Sequence, residues 1–224
     1  MLESVSEDTR WVCFPNPNNP TSRYVQERRV REFLDRLDPD ITVIYDEAYF
    51  EFMDESDYPD GRELLEDYRG DEGPEIILQR TFSKAYGLAG LRVGYGLIDP
   101  SIARELHKVR PPFNVSRPAQ AVARQALQVD GFVTDARAKI IDQRTRLIGE
   151  LKQRGIDYVE PSANFMLIEA PGDRSAEQFC ESLLERGVIL RSMKPYGLDQ
   201  HLRLSVGSAE ENDRFLRALD EILE

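Results

Sequence analysis

The residues of this chain best suited to chemistry lie together in Gln79-Arg80-Thr81-Phe82-Ser83-Lys84-Ala85-Tyr86-Gly87-Leu88-Ala89-Gly90-Leu91-Arg92. A predicted strand ends here, hydroxyls and a lysine follow at once, and an arginine stands eight residues after the lysine. In α/β folds the C-terminal ends of parallel strands bind ligands. Lys84 has small and apolar neighbours, and a desolvated lysine is both nucleophile and base. Thr81, Ser83 and Arg92 suit a phosphate, because hydroxyls donate and a guanidinium binds through two parallel N–H groups. Taken alone, such a lysine is a solvated surface group and such an arginine pairs with a surface carboxylate. The spacing is what favours a site.

A second constellation is Val43-Ile44-Tyr45-Asp46-Glu47-Ala48-Tyr49. Asp46 ends an apolar strand, and a carboxylate there needs a cationic or proton-donating partner. A protonated ring nitrogen would serve, with the Tyr49 phenol pointing into the same place. The plainer alternative is a turn cap by Asp46 and a core tyrosine. The third is Asn16-Pro17-Asn18-Asn19-Pro20-Thr21, by itself a turn with Thr21 or Ser22 capping a helix.

The elements that must position these groups alternate between strand and helix, which predicts an α/β protein. Strands are expected at 10–14, 41–45, 75–79 and 92–98, with Gly94 and Gly96 allowing close packing. The spacing of Val30, Phe33, Leu34 and Leu37 predicts a helix over 22–37. Residues 53–74, acidic and rich in Gly and Pro, read as an exposed insertion. Asp99-Pro100 starts a helix that Pro111-Pro112 stops. A helical stretch over 117–154 is interrupted near Gly131. Strands at 164–169, 188–191 and 201–206 follow, with capping boxes at Ser175/Gln178 and Ser208/Glu211. A domain boundary is expected near residue 120, giving domains 1–119 and 120–224.

Composition narrows the chemistry. Of 224 residues, 41% are hydrophobic and 31% charged, as in a globular protein that buries a core. The net charge of −12 disfavours nucleic acid and anionic membranes as partners but allows a local basic pocket. No apolar run approaches the ~20 residues of a membrane helix, and Glu3, Glu7 and Asp8 stand where a secretory leader would be basic and then apolar. Cys13 and Cys180 share no metal-type spacing and are expected as packing residues in a cytoplasmic setting. His107 reads as a surface residue and His201 as structural, so no metal centre is expected and a cofactor should carry any difficult step.

In order and spacing the three constellations resemble the pyridoxal-phosphate-dependent aminotransferases of fold type I, and among them the histidinol-phosphate branch. The resembling stretches are NPNNPTS, VIYDEAYFEF, RTFSKAYGLAGLRVGY, PPFNVS, ANFMLIE, GVILR and LRLSVGSAEEN. The resemblance implies part of the large cofactor domain, with a mostly parallel sheet, followed by a smaller C-terminal α+β domain. It implies pyridoxal 5′-phosphate bound covalently by Lys84. Asn19 and Tyr49 would bond the ring oxygen, Asp46 the ring nitrogen, and Thr81, Ser83 and Arg92 the phosphate. Arg203 would take the substrate carboxylate, Arg191 would lie near its distal phosphate, and Asn114 and Asn164 would shape the site. The substrates implied are a small-molecule amino donor, histidinol phosphate or similar, and a 2-oxo acid such as 2-oxoglutarate. The partner implied is a second copy of the chain.

Two departures from the family pattern stand out. Ser22 occupies a place usually held by Gly, which suits Ser only where the backbone does not need φ > 0. In the family a long segment precedes the Asn16 motif, and here it has fifteen residues, so an N-terminally truncated enzyme is expected. The alternatives are a catalytically incomplete fragment, a threonine-phosphate decarboxylase-like lyase, and an aromatic aminotransferase.

Overall fold

A computed structural model of the chain describes residues 1–70 and 73–224. They form two compact units, residues 1–17 with 24–133, and residues 18–23 with 134–224.

The first unit is built on a four-stranded sheet in the order β1 (Trp11–Pro15), β2 (Thr42–Asp46), β3 (Glu75–Thr81), β4 (Gly94–Leu97). The β1–β2 and β2–β3 pairs are parallel, and β4 runs antiparallel to β3. β4 can lie this close because residue 94 is Gly: a Cβ there would meet the Arg80 carbonyl at 2.8 Å. Val12, Phe14, Val43 and Leu78 pack with Val30, Phe33 and Leu34 of α1 (Glu27–Leu34).

α1 starts five residues later than the apolar spacing predicts. Buried Asn16 explains this, since its Oδ1 accepts the Val25 N–H at 2.7 Å and its Nδ2 donates to the Val25 carbonyl at 3.0 Å. That pair of bonds holds Val25 extended, and Gln26 takes the cap position instead of Thr21 or Ser22.

Residues 53–74 are not an exposed insertion. α2 (Gly61–Asp67) lies within them, capped by Asp60, and buries Leu64 and Leu65 in the same core as Leu34 and Leu78. Asp71 and Glu72 of that stretch lie outside the described residues. The strand expected from Arg92 begins only at Gly94, because Arg92 is left-handed at φ 51°. Asp99 caps α3 (Pro100–Val109), and α4 (Arg117–Ala126) packs Ala119 and Ala123 against Phe82 and Val93. That packing keeps α4 with the first unit; the compact units divide at residues 133/134, and segment 18–23 belongs with the second.

Gly131, at φ 77°, separates α4 from α5 (Phe132–Gln153). The second unit's sheet is antiparallel, in the order β5 (Tyr158–Val159), β6 (Phe165–Glu169), β8 (Leu198–Ser205), β7 (Arg191–Met193). β7 begins where the strand was expected to end, since the turn at Gly187 leads first to Val188, which packs into the core. Both capping boxes are present, opening α6 (Ala176–Glu185) and α7 (Ala209–Leu223). Leu147, Met166, Phe179, Leu202 and Phe215 centre this core. Cys180 is half-buried, but Cys13 is exposed, because it alternates with the buried Val12 and Phe14 on β1. Among the described residues no helix is long and apolar enough to cross a membrane.

Candidate active site

β2 and β3 run parallel and end together, with Asp46 opposite Gln79 in register. The chain leaves β2 through Asp46 and β3 through Thr81, so both strand ends open on one cavity. That cavity, about 300 Å³, is bounded by Asp46, Thr81, Ser83, Lys84 and Arg92, together with Ala48, Gln79 and Arg80. A wider cavity of about 640 Å³ shares Thr81, Ser83 and Arg92 and extends along β4 to His107, Arg110 and Asn114 of α3 and the following turn. The first unit thus brings together six of the residues expected from the sequence: Asp46, Tyr49, Thr81, Ser83, Lys84 and Arg92.

Each is held by local structure. Asp46 Oδ1 accepts the Ala48 N–H at 2.9 Å, so the turn cap is real. Its other oxygen has no donor among the described residues, and burial pushes the carboxyl up while the Ala48 N–H and Lys84 pull it down. Tyr49 is buried, and the Lys84 ammonium lies 5.2 Å from its ring centroid. Thr81 Oγ1 accepts the Ser83 N–H at 3.1 Å, which folds the turn carrying Lys84. The left-handed backbone of Arg92 brings its Nη1 to the Ala89 carbonyl at 2.9 Å. A pocket with one ammonium, two hydroxyls, one half-satisfied carboxyl and two guanidiniums, of which Arg80 is paired with Glu47 and Arg92 is not paired with a carboxylate, matches a ligand with a phosphate and a protonated ring nitrogen.

The second unit holds the remaining expected residues. Arg203 of β8 donates from Nη1 to Asn19 Oδ1 at 2.9 Å, and its Nε is buried without a partner. Arg191 is the register partner of Arg203 on β7 and is exposed. Asn164 precedes β6, and its carbonyl accepts the Val206 N–H. Asn19 sits in a turn closed by Ser22, whose N–H donates to the Asn18 carbonyl.

Sequence reasoning missed the buried acids. Glu47, next to Asp46 but on the other face of the strand end, pairs with Arg80 at 2.7 Å. Opposite charges at matching steps of two adjacent strands were the readable signal. Asn16 was passed over as a turn residue, and nothing local marks its bond to Val25.

Comparison with known proteins fits this geometry. The histidinol-phosphate aminotransferase 2 of Carboxydothermus hydrogenoformans is 40% identical over 225 residues, covering all of this chain and 60% of its own. The chain therefore spans about 60% of the length of that curated relative. The crystal structure of the histidinol-phosphate aminotransferase from Clostridium acetobutylicum superposes with a TM-score of 0.85 at 27% identity, over 95% of this chain and 63% of that one. The enzyme of that name from Sinorhizobium meliloti, solved in complex with pyridoxal-5′-phosphate, gives 0.80 at 29% identity, over 95% and 57%. The sequence profile described as aminotransferase class I and II matches residues 1–219, and the chain belongs to that family.

Proposed function

We propose that this chain carries the lysine-bearing and substrate-gripping parts of a pyridoxal-phosphate-dependent aminotransferase. Its substrates would be histidinol phosphate, or a similar amino compound, and 2-oxoglutarate. The observation that carries the reading is the cavity at the ends of β2 and β3, with Lys84 and Asp46 beside Thr81, Ser83 and Arg92. Identity of 40% with a histidinol-phosphate aminotransferase supports that substrate over other amino compounds.

When bound, pyridoxal phosphate supplies an electron sink that makes the Cα proton of an amino substrate acidic. The chain's residues do the rest. Lys84 Nζ would hold the cofactor, and as a free amine it would take the proton from the substrate Cα. Asp46 accepts the ring N–H through its free oxygen and keeps that proton in place, an electrostatic contribution made in advance of the reaction. Tyr49 and Asn19 donate to the ring oxygen. Thr81, Ser83 and Arg92 bind the phosphate. Arg203 grips the substrate carboxylate, Arg191 the distal phosphate, and Asn164 shapes the pocket.

A homodimer belongs to the same reading. Support comes from α3, an amphipathic helix with no buried residue, and from Phe113, 99% exposed. A cytoplasmic setting is supported by two cysteines that form no disulfide. The deciding test is catalytic: glutamate produced from 2-oxoglutarate and histidinol phosphate supports the reading. Carbon dioxide released from a phosphorylated amino acid would instead indicate the lyase.

A further inference from the structure

Two buried carboxyls share one cation beside the cavity. Glu47 is 1% exposed and Glu51 9%. Arg80 gives Nε and Nη2 to Glu47 Oε2, both at 2.7 Å, and the Gly61 N–H donates to Glu47 Oε1 at 3.2 Å. Residue 61 must be Gly for this approach, because a Cβ would lie 2.5 Å from that oxygen. Glu47 is therefore fully engaged. Glu51 Oε2 is buried with no hydrogen-bond partner. The charged and titratable groups facing Glu51 are Arg80, Glu47, Tyr58 and Tyr86. Arg80 itself lies over the Phe50 ring at 3.8 Å.

Charge balance follows from this list. One guanidinium neutralises one carboxylate, and Arg80 gives its Nε and Nη2 to Glu47. A second carboxylate in the same buried space would be uncompensated, which disfavours ionisation of Glu51. Burial pushes it up, against its own backbone N–H and Arg80, and the Glu47 charge raises it further, to about 7.

We infer that Glu47, Arg80 and Glu51 form a positioning clamp at the wall of the cavity, which Arg80 helps to line. The Glu47–Arg80 pair locks together the strand ends that present Asp46 and Thr81, and ionisation of Glu51 loosens it by competing for Arg80. Asp46 immediately precedes Glu47, and Thr81 immediately follows Arg80. Any shift of this pair is therefore transmitted to the cavity through a single peptide bond on each strand. When Glu51 gives its proton to water, the new carboxylate attracts Arg80 and repels Glu47. Neither Glu47 nor Glu51 lines the cavity, and Arg80, which does, turns its Nε and Nη2 to Glu47, so the three act through Asp46 and Thr81.

The ligand readout rests on the pyridoxal-phosphate reading, and the test separates the two. Affinity for pyridoxal phosphate is measured by absorbance titration of wild type and Glu51→Gln from mildly acid to mildly alkaline pH. The wild type should lose about tenfold more affinity than E51Q across neutrality, the equivalent of one pKa unit coupled to binding. Parallel profiles overturn the clamp. If neither protein takes up pyridoxal phosphate, the cofactor reading fails and urea unfolding judges the clamp. Because the folded carboxyl binds its proton more tightly than the unfolded one, wild-type stability relative to E51Q should fall as pH rises from 4.5 to about 7 and stay level above. A constant difference overturns it. If E51Q does not fold, carboxyl NMR of isotope-labelled glutamate in the wild type decides: a titration midpoint near 7 is expected, and an ordinary carboxylate midpoint for every glutamate overturns it.

Discussion

The hydroxyl of Ser22 accepts the backbone N–H of Ala163 at 2.9 Å, inside the second unit and fully shielded from water. It also accepts the Ser162 N–H at 3.2 Å, while Ser22 itself is left-handed at φ 60°. The backbone does need φ > 0 here, and the serine is tolerated because its hydroxyl satisfies the Ala163 amide, which a glycine would leave unpaired; the Ser162 N–H also has the Ser22 carbonyl at 2.8 Å. Left-handed backbone costs a non-glycine residue roughly 1–2 kcal/mol, and an orphaned buried N–H costs about 1–3 kcal/mol. Ser22→Ala keeps the first cost and adds the second, so it should destabilise by about 1–3 kcal/mol. Ser22→Gly trades one for the other and should lie close to wild type. Urea unfolding of the two variants checks the order.

Leu64 tests the corrected view of residues 53–74. It is fully buried beside Leu34 and Leu78. Leu64→Ala should cost about 2–5 kcal/mol, as for other buried leucines. In an exposed insertion the change would be near zero. Thermal or urea denaturation distinguishes these.

Gly94→Ala should damage the site from a distance. The added Cβ would press on the Arg80 carbonyl, a backbone atom that cannot swing aside. β4 must then move away from β3, at a cost of about 1–3 kcal/mol. Affinity for pyridoxal phosphate should fall with it, because Thr81 ends β3 opposite Gly94. Parallel stability and absorbance measurements on G94A report both effects.

Arg203→Lys should weaken the grip on a substrate carboxylate. Lysine keeps the charge but loses the planar fork, and with it two parallel N–H bonds. The bond to Asn19 Oδ1 goes as well. A rise in KM for the 2-oxo acid of about tenfold or more is expected, with little change in folding stability. Steady-state kinetics with varied 2-oxoglutarate checks it.

Much of the fold was legible because its signals are local. Asp99 before Pro100, Ser175 with Gln178, Ser208 with Glu211 and the break at Gly131 all act within one helical turn, and all appear in the structure. The grouping of the candidate site residues was legible for a related reason. Lys84 and its hydroxyls sit in one turn, and Asp46 ends the adjacent strand. What escaped depends on distant partners. Asn16 holds Val25 extended across nine residues and shortens α1. Glu47 and Glu51 look like surface acids until Arg80, from another strand, accounts for one and leaves an oxygen of the other buried without a hydrogen-bond partner. Cys13 was expected to pack, but alternation along β1 turns it outward.

The central claim is that Lys84 is the residue that fixes pyridoxal phosphate. The direct measurement is to incubate the purified chain with pyridoxal phosphate, reduce with borohydride, and locate the added mass by peptide mass spectrometry. The account predicts a visible absorbance band before reduction, one pyridoxyl group on the peptide containing Lys84, and no label there in Lys84→Ala. Label spread over surface lysines, or an unlabelled Lys84 peptide in the wild type, would contradict it.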